Sequence, residues 1–112
     1  MTSMPFVTTL RSRSATINIA QPEDASAITI RVEMPEVWDV VRIRVAPTEP
    51  VLVAKVAALR ALYPEAEGEF HADFVLKLRG WEVLDEAASL ADVGVVDGSI
   101  LLLTFRRRRP VR

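Results

Sequence analysis

The sequence lacks several features on which common classes of protein depend. None of its 112 residues is cysteine, which excludes disulfides, thiolate metal ligands and a cysteine nucleophile. No apolar run approaches the roughly 20 residues that a membrane-spanning helix needs. The N-terminus has no basic start followed by an apolar block, so a secretory signal is not expected. Together these absences favour a cytoplasmic protein.

Candidate chemistry is equally sparse. His71 is the only histidine, and Asp73 would share its face of a strand, so a His–Asp pair is conceivable. No cysteine, serine elbow or second histidine accompanies them, and the four glycines form no phosphate-cradling cluster. We therefore interpret His71 and Asp73 as solvated loop residues. We predict no catalytic residue, no metal site, no cofactor and no enzymatic activity.

Charge is divided unevenly along a chain whose net charge is only −1. Residues 28–105 hold seven basic and thirteen acidic residues, whereas the last seven residues, RRRRPVR, are strongly basic. An acidic body is not expected to bind nucleic acid. The Arg106–Arg109 run could contact an acidic partner or an anionic membrane surface. Alternatively, it only protects an apolar last strand from edge pairing.

Half of the residues are hydrophobic and about a quarter are charged, a composition typical of one globular domain. Residues 1–27 lack a sustained period and are predicted to form a flexible arm, with a possible short strand at residues 15–19. Residues 28–106 are predicted to form the domain, with ordered structure beginning near Ile28, and residues 107–112 a basic tail. Two-residue alternation predicts four main strands whose inward side chains are Ile28, Ile30, Val32 and Met34; Val41, Ile43 and Val45; Phe74, Leu76 and Leu78; and Leu101, Leu103 and Phe105.

A helix is predicted from about Pro50 to Leu62, with Thr48 as its N-cap. Its apolar residues form two stripes: Leu52, Val56, Leu59 and Tyr63, and Val51, Ala54, Ala58 and Leu62. One stripe must pack on the sheet, and the other is either an exposed contact surface or buried beneath the arm. Trp38 is expected to cover an edge of the core. A short strand is predicted at residues 81–84, after the turn at Gly80, a helical turn at Ser89–Asp92 and a tight turn at Asp97-Gly98.

This order of elements and three local segments resemble ubiquitin-like domains. The segments are Val41–Pro47, Leu76–Gly80 and Leu90–Leu103, the last with an Asp-Gly-Ser turn before an apolar strand. Over residues 28–106 the resemblance implies an α+β, ubiquitin-like β-grasp fold with a mixed sheet and one long helix across one face. The sequence of residues 94–99, GVVDGS, is most similar to the bacterial YukD-like branch. That branch includes the cytoplasmic domain of EccD, a membrane component of type VII secretion.

Two departures from ubiquitin limit what the resemblance implies. Eukaryotic-type modifiers end in diglycine, whereas Arg109 and Pro110 stand about where those glycines would be. Proline lacks an N–H and the freedom of glycine, so this tail is a poor substrate for an activating enzyme. The isoleucine at the centre of ubiquitin's recognition patch falls at Lys77, with Leu102 and Thr104 beside it. Proteins that recognise ubiquitin's apolar patch are therefore not expected to bind this chain well.

The sequence thus predicts a non-enzymatic, ubiquitin-like protein-interaction module, and the branch implies a scaffold or adaptor of a bacterial type VII secretion-like assembly. The alternative is a bacterial protein modifier that a cognate enzyme system conjugates to its targets. We expect a protein partner on the open face of the sheet, at an apolar centre with a charged rim. The predicted binding residues are Val75, Lys77, Arg79, Ile100, Leu102, Arg106 and Arg107.

Overall fold

The computed structural model describes residues 16–64 and 72–106. Within these ranges the chain forms the strands β1 (Thr16–Asn18), β2 (Ile28–Met34), β3 (Asp39–Val45), β4 (Phe74–Leu78), β5 (Trp81–Glu82) and β6 (Ile100–Phe105). The helix α1 spans Val51–Leu62, and a short 3-10 turn covers Pro35–Val37. The helical turn predicted at Ser89–Asp92 is a hydrogen-bonded turn, in which the Val93 N–H donates to the Ser89 carbonyl at 3.2 Å.

The strands form one mixed sheet in the order β1-β3-β2-β6-β4-β5. β2 pairs antiparallel with β3 and parallel with β6, and β6 also pairs antiparallel with β4. At the two edges, β1 joins β3 in parallel and β5 joins β4 antiparallel. α1 packs on one face of this sheet. The fold is therefore α+β with one helix on a mixed sheet, which confirms the prediction.

Alternate strand residues fill the core between α1 and the sheet. The buried ones are Ile30, Val32, Met34, Val41, Ile43, Val45, Phe74, Leu76, Leu78, Leu101 and Leu103. A register slip of one residue would turn a whole strand's apolar set toward solvent, so this burial confirms the predicted register. Phe105 differs from the prediction because it lies at the end of the sheet and stays 44% exposed. Its ring packs against those of Phe74 and Tyr63, with centroids 4.8 and 5.8 Å away.

The helix occupies its predicted place, but Thr48 does not cap it. α1 follows Pro50, and no side chain hydrogen-bonds to its first turn. Instead the backbone N–H groups of Val51 and Leu52 donate to the carbonyls of Ala88 and Glu86, each at 2.9 Å. A loop distant in sequence thus satisfies the first-turn donors that a capping side chain usually serves. The prediction of Thr48 as N-cap is therefore wrong.

The two apolar stripes of α1 are not equally buried. Val51, Ala54, Ala58 and Leu62 pack on the sheet, and Leu59 of the other stripe is buried with them. Leu52, Val56 and Tyr63 are half-buried. The outer surface of α1 is thus only partly apolar and partly covered, which makes it a weaker candidate contact surface than the sequence suggested.

The sequence did not predict that Lys55 would be buried. Among the described residues, it is the only charged side chain that is fully buried. Its Nζ lies 2.7 Å from Glu86 Oε2, in the loop whose carbonyls cap α1. Burying an ammonium without a partner costs free energy, so the packing of α1 against this loop depends on the ion pair.

The sheet begins at Thr16, earlier than the expected start at Ile28. Thr16–Asn18, part of the segment for which the sequence allowed a short strand, pairs with β3, and Ile17 and Ile19 pack against the core. The Arg44 guanidinium donates to the Asn18 side chain and to the Gln21 and Asp24 carbonyls, at 2.8 to 3.1 Å. Hydrogen bonds from the side chain and backbone of Ser26 hold the pKa of Asp24 below its ordinary value. These contacts tie residues 16–27 to the sheet edge.

Trp38 does not cover the core. It follows the 3-10 turn with a left-handed backbone, φ 55°, and the residue is 94% exposed. The tight hairpin geometry turns the side chain away from the sheet. The expectation from the sequence is therefore wrong at this residue.

Candidate protein-interaction site

The face of the sheet opposite α1, called here the open face, carries the outward side chains of the strands. Cross-strand pairing places Lys77 of β4 beside Leu102 of β6, and Val75 beside Thr104. On the other side of β6, Ile100 pairs with Arg31 of β2. Because these rows are continuous across the sheet, Lys77, Ile100 and Leu102 share one surface.

The predicted binding residues differ in how accessible they are. Ile100 is 54% exposed and is the most exposed apolar residue of the open face. Lys77 and Leu102 are half-buried, and Arg79 is exposed in the turn between β4 and β5. That turn has positive φ at both Arg79 and Gly80, the geometry of a two-residue hairpin loop. Arg107 lies outside the described residues, as do the other arginines of the basic tail.

Val75 points outward as expected but is only 5% exposed, so it cannot serve as a contact residue in this conformation. Val75 belongs to β4, which lies between β5 and β6. Across β4, Arg106, which follows β6, forms an ion pair with Glu82 of β5, with 3.1 Å between Nη1 and Oε2. Arg106 also donates from Nε to the Ala72 carbonyl at 3.1 Å and from its backbone N–H to the Asp73 carbonyl at 2.7 Å. Arg106 is therefore part of the sheet end rather than the start of a free tail.

Glu36 connects the hairpin between β2 and β3 to the end of β6. Its carboxylate accepts hydrogen bonds from the Thr104 hydroxyl and, at 3.1 Å, from the Phe105 backbone N–H. Phe105 pairs with Phe74 of β4 on one side, but β2 pairs with β6 only as far as Leu102, so on the β2 side the Glu36 carboxylate supplies the acceptor for the Phe105 N–H. Burial raises the pKa of Glu36, but the bonds from Thr104 and Phe105 lower it more, and the pKa lies below its ordinary value.

Of the conceivable His71–Asp73 pair, His71 lies outside the described residues. Asp73 precedes β4 and accepts the backbone bond from Arg106. Within residues 16–64 and 72–106, no three side chains of the metal-ligating types cluster closely enough to hold an ion.

A second apolar surface was missed in the sequence. Trp81 and Leu84 are 79% and 82% exposed, and with Leu78, Val83 and Val93 they line a groove of about 400 Å³ at the β5 edge. The sequence predicted a strand through Leu84, but β5 ends at Glu82, which leaves Leu84 beyond the sheet. Alternation of apolar and polar residues does not show whether a short strand lies at the edge of a sheet. The exposure of Trp81 and Leu84 could therefore not be predicted from the sequence.

Among the helices of the described part of the chain, none combines the length and apolar character needed to cross a membrane.

Known structures share this architecture. The ubiquitin-like domain of an Arabidopsis thaliana protein superposes with a TM-score of 0.60 at 17% identity, covering 83% of this chain and 94% of that domain. The ubiquitin of Caldiarchaeum subterraneum superposes with a TM-score of 0.59 at 18% identity, covering 75% of this chain and 99% of its own length. The fold is therefore that of the ubiquitin-like β-grasp domains. No protein-family profile and no curated protein sequence matches the chain.

Proposed function

We propose that this chain is a non-enzymatic protein-interaction module that binds its partner on the open face. The observation that carries the proposal is the exposed Ile100 beside Leu102, with the ammonium of Lys77 next to them. An apolar centre with a charged rim is the usual composition of a protein interface. Arg79 and Arg106 extend the basic rim, and favour an acidic partner by faster association.

The finer proposal is a scaffold or adaptor in the bacterial cytoplasm, within a type VII secretion-like assembly. It rests on the similarity of residues 94–99 to the YukD-like branch. In the fold this segment forms the turn into β6, where Asp97 Oδ1 accepts from the Thr29 N–H at 2.8 Å. Gly98 has φ 86° and donates its N–H to the Thr29 carbonyl at 2.8 Å. These bonds join the turn before β6 to the backbone of Thr29 in β2.

A conjugated protein modifier is the second candidate, favoured by the fold shared with the ubiquitin of Caldiarchaeum subterraneum. Arg109 and Pro110 oppose it, because they replace flexible glycines at the place where a modifier is activated. Incubation with ATP and a cognate activating enzyme is expected to give no adenylate on this chain. An adenylate or isopeptide at its C-terminus, detected by mass spectrometry, would overturn the interaction-module proposal.

Affinity capture from the native host, with the Leu102→Asp variant in parallel, tests the proposal. We expect at least one protein to be retained by the wild type and lost with the variant. A secretion ATPase with small helical substrates among such proteins supports the scaffold role. An activating enzyme and an isopeptidase support the modifier. If folded wild type and variant retain the same proteins, the open face is not the binding surface.

A further inference from the structure

The outer edge of β5 carries backbone groups that the sheet leaves unpaired. β5 is the last strand in the sheet order, and its Glu82 lies opposite Lys77 of β4. The next residue, Val83, donates its N–H to the Leu76 carbonyl at 2.8 Å. Because hydrogen-bonded and non-hydrogen-bonded pairs alternate in an antiparallel ladder, the N–H and C=O of Glu82 point away from β4. Within residues 16–64 and 72–106, no further strand lies there to receive them.

Large apolar side chains lie beside these free groups. Trp81 and Leu84 are largely exposed at the groove of about 400 Å³ described above. Trp81 pairs across β4 with the core residue Leu78, so it lies on the α1 side of the sheet. Native proteins often protect such an edge with lysine or proline, and residues 81–84, Trp-Glu-Val-Leu, contain neither. This edge is therefore suited to pairing with another strand.

The charges at the two ends of the groove indicate which strand fits. Arg79 lies at one end and Asp85 at the other, and both are exposed. Arg79 forms no ion pair or hydrogen bond through its side chain with any residue that the structure describes. The Asp85 carboxylate accepts the Ala87 N–H at 3.2 Å and has acceptor capacity for a second donor. Both residues are three positions from Glu82, so an antiparallel copy of the same segment brings Arg79 to Asp85 at each end.

We propose that two copies of this chain associate through residues 79–85, called here the β5 edge, across a two-fold axis beside Glu82. The Glu82 N–H of each copy donates to the Glu82 carbonyl of the other. Trp81 of each copy packs against Val83 in the groove of the second copy. Arg79 of each copy pairs with Asp85 of the second. The contact is isologous, so one segment supplies both halves of the interface.

The Glu82 side chains face each other in this register, and like charges in that position repel. Each Glu82 carboxylate is already paired with Arg106 of its own copy at 3.1 Å. The row across the axis thus contains two carboxylates and two guanidiniums and has no net charge. These side chains lie on the open-face side of the sheet, opposite the side on which Trp81 packs, so they do not obstruct the groove.

This association goes beyond the proposed function, because it uses the edge of the sheet and leaves Ile100 and Leu102 accessible. It joins two six-stranded sheets into one and doubles the number of open-face sites. A partner with repeated binding motifs would then bind two sites at once, at higher avidity than a single copy provides. Contacts limited to one strand edge fall at the small, transient end of the range of protein interfaces. We therefore expect a reversible dimer.

Sedimentation velocity of the full chain, from about 10 µM to about 1 mM, tests the proposal, and a shift from monomer to dimer is expected in this range. Arg79→Asp should weaken association at least about tenfold, because aspartate then faces Asp85 of the second copy. Aspartate also tolerates the left-handed backbone of Arg79, φ 54°. The double variant Arg79→Asp/Asp85→Arg should restore association. Arg60→Asp makes the same charge change at an exposed position on α1 and should have no effect.

A second pair of variants tests the apolar contact. Trp81→Asn should weaken association, whereas Trp38→Asn removes an equally large exposed side chain at the hairpin and should not. Hydrogen exchange adds a readout that needs no substitution. The Glu82 amide should exchange several-fold more slowly at about 1 mM than at about 10 µM, because only the dimer gives it an acceptor. The Val83 amide, which is bonded within its own copy, should show little change.

Several results would overturn the β5 edge as an interface between copies. One is a chain that stays monomeric at about 1 mM. Association that appears only after deletion of residues 107–112 also overturns it, because the basic tail then occupies the groove of the full chain. So does a dimer that keeps its affinity in Trp81→Asn, or one that the double charge variant does not restore. A dimer lost in Leu102→Asp would instead lie on the open face. A monomer that still binds a partner through Leu102 contradicts this inference and leaves the proposed function intact.

Discussion

At the scale of individual residues, the packing of α1 against the loop that caps it depends on the ion pair between Lys55 and Glu86. Lys55 is fully buried, whereas the Glu86 side chain is 21% exposed. Glu86 also contributes the carbonyl that accepts the Leu52 N–H. One residue therefore neutralises the buried ammonium with its side chain and caps the helix with its backbone.

We expect Glu86→Ala to destabilise the domain by about 2–4 kcal/mol, because it leaves a buried charge without its partner. Lys55→Met should cost less, since an apolar side chain of similar length suits the same site. Urea unfolding of both variants checks the order. Equal losses, or a larger loss for Lys55→Met, would mean that the ion pair contributes little.

Glu36 makes stability depend on pH at the end of β6. Its pKa is lowered in the folded protein, so the unfolded state binds the proton more readily. The stabilisation is therefore fully present above the ordinary pKa of 4.5 and is lost as the pH falls through the folded value.

We predict that wild type exceeds Glu36→Gln in stability at neutral pH and that the difference shrinks below pH 4.5, the ordinary value for this group. Urea midpoints of the two proteins across this range provide the measurement. A difference that stays constant with pH would show that the carboxylate charge is not what binds Thr104 and Phe105.

At the scale of elements, the main strands and the helix could be predicted because each repeats one period over many residues. The seven residues of β2 alternate without a break, and α1 carries apolar residues at helical spacing between two prolines. β1 has only three residues and no period of its own. Its position depends on pairing with β3, a tertiary contact that local alternation does not encode. The cap of α1 was not predicted for the same reason, because its acceptors are the carbonyls of Glu86 and Ala88, in a loop distant in sequence.

The contribution of β1 can be measured by deletion. Removing residues 1–27 should lower the free energy of unfolding by about 1–3 kcal/mol relative to removing residues 1–15, a shift of several degrees in Tm. The reason is that Ile17 and Ile19 no longer cover the core edge and Arg44 loses its acceptors. If the two truncated proteins melt at the same temperature, the domain begins at Ile28 as the sequence alone suggested.

At the scale of the whole molecule, the fold places more basic than acidic side chains on the open face of an otherwise acidic domain. The outward strand residues include Arg31, Arg42, Arg44 and Lys77 but only two acidic residues, Glu33 and Glu82. The sequence revealed Lys77, Ile100 and Leu102 through alternation and resemblance. It did not reveal the Arg31–Arg42 row, because that row requires the register of β2 against β3.

The most direct test of the account compares the affinity of one captured partner for three variants, measured by calorimetry. Lys77→Glu and Leu102→Asp alter the open face, whereas Val53→Asp alters the most exposed apolar residue of α1. We predict that each open-face change weakens binding by at least about 1 kcal/mol, roughly fivefold, without unfolding the domain. Val53→Asp should leave the affinity unchanged. The account is contradicted if both open-face variants bind as tightly as the wild type while Val53→Asp abolishes binding.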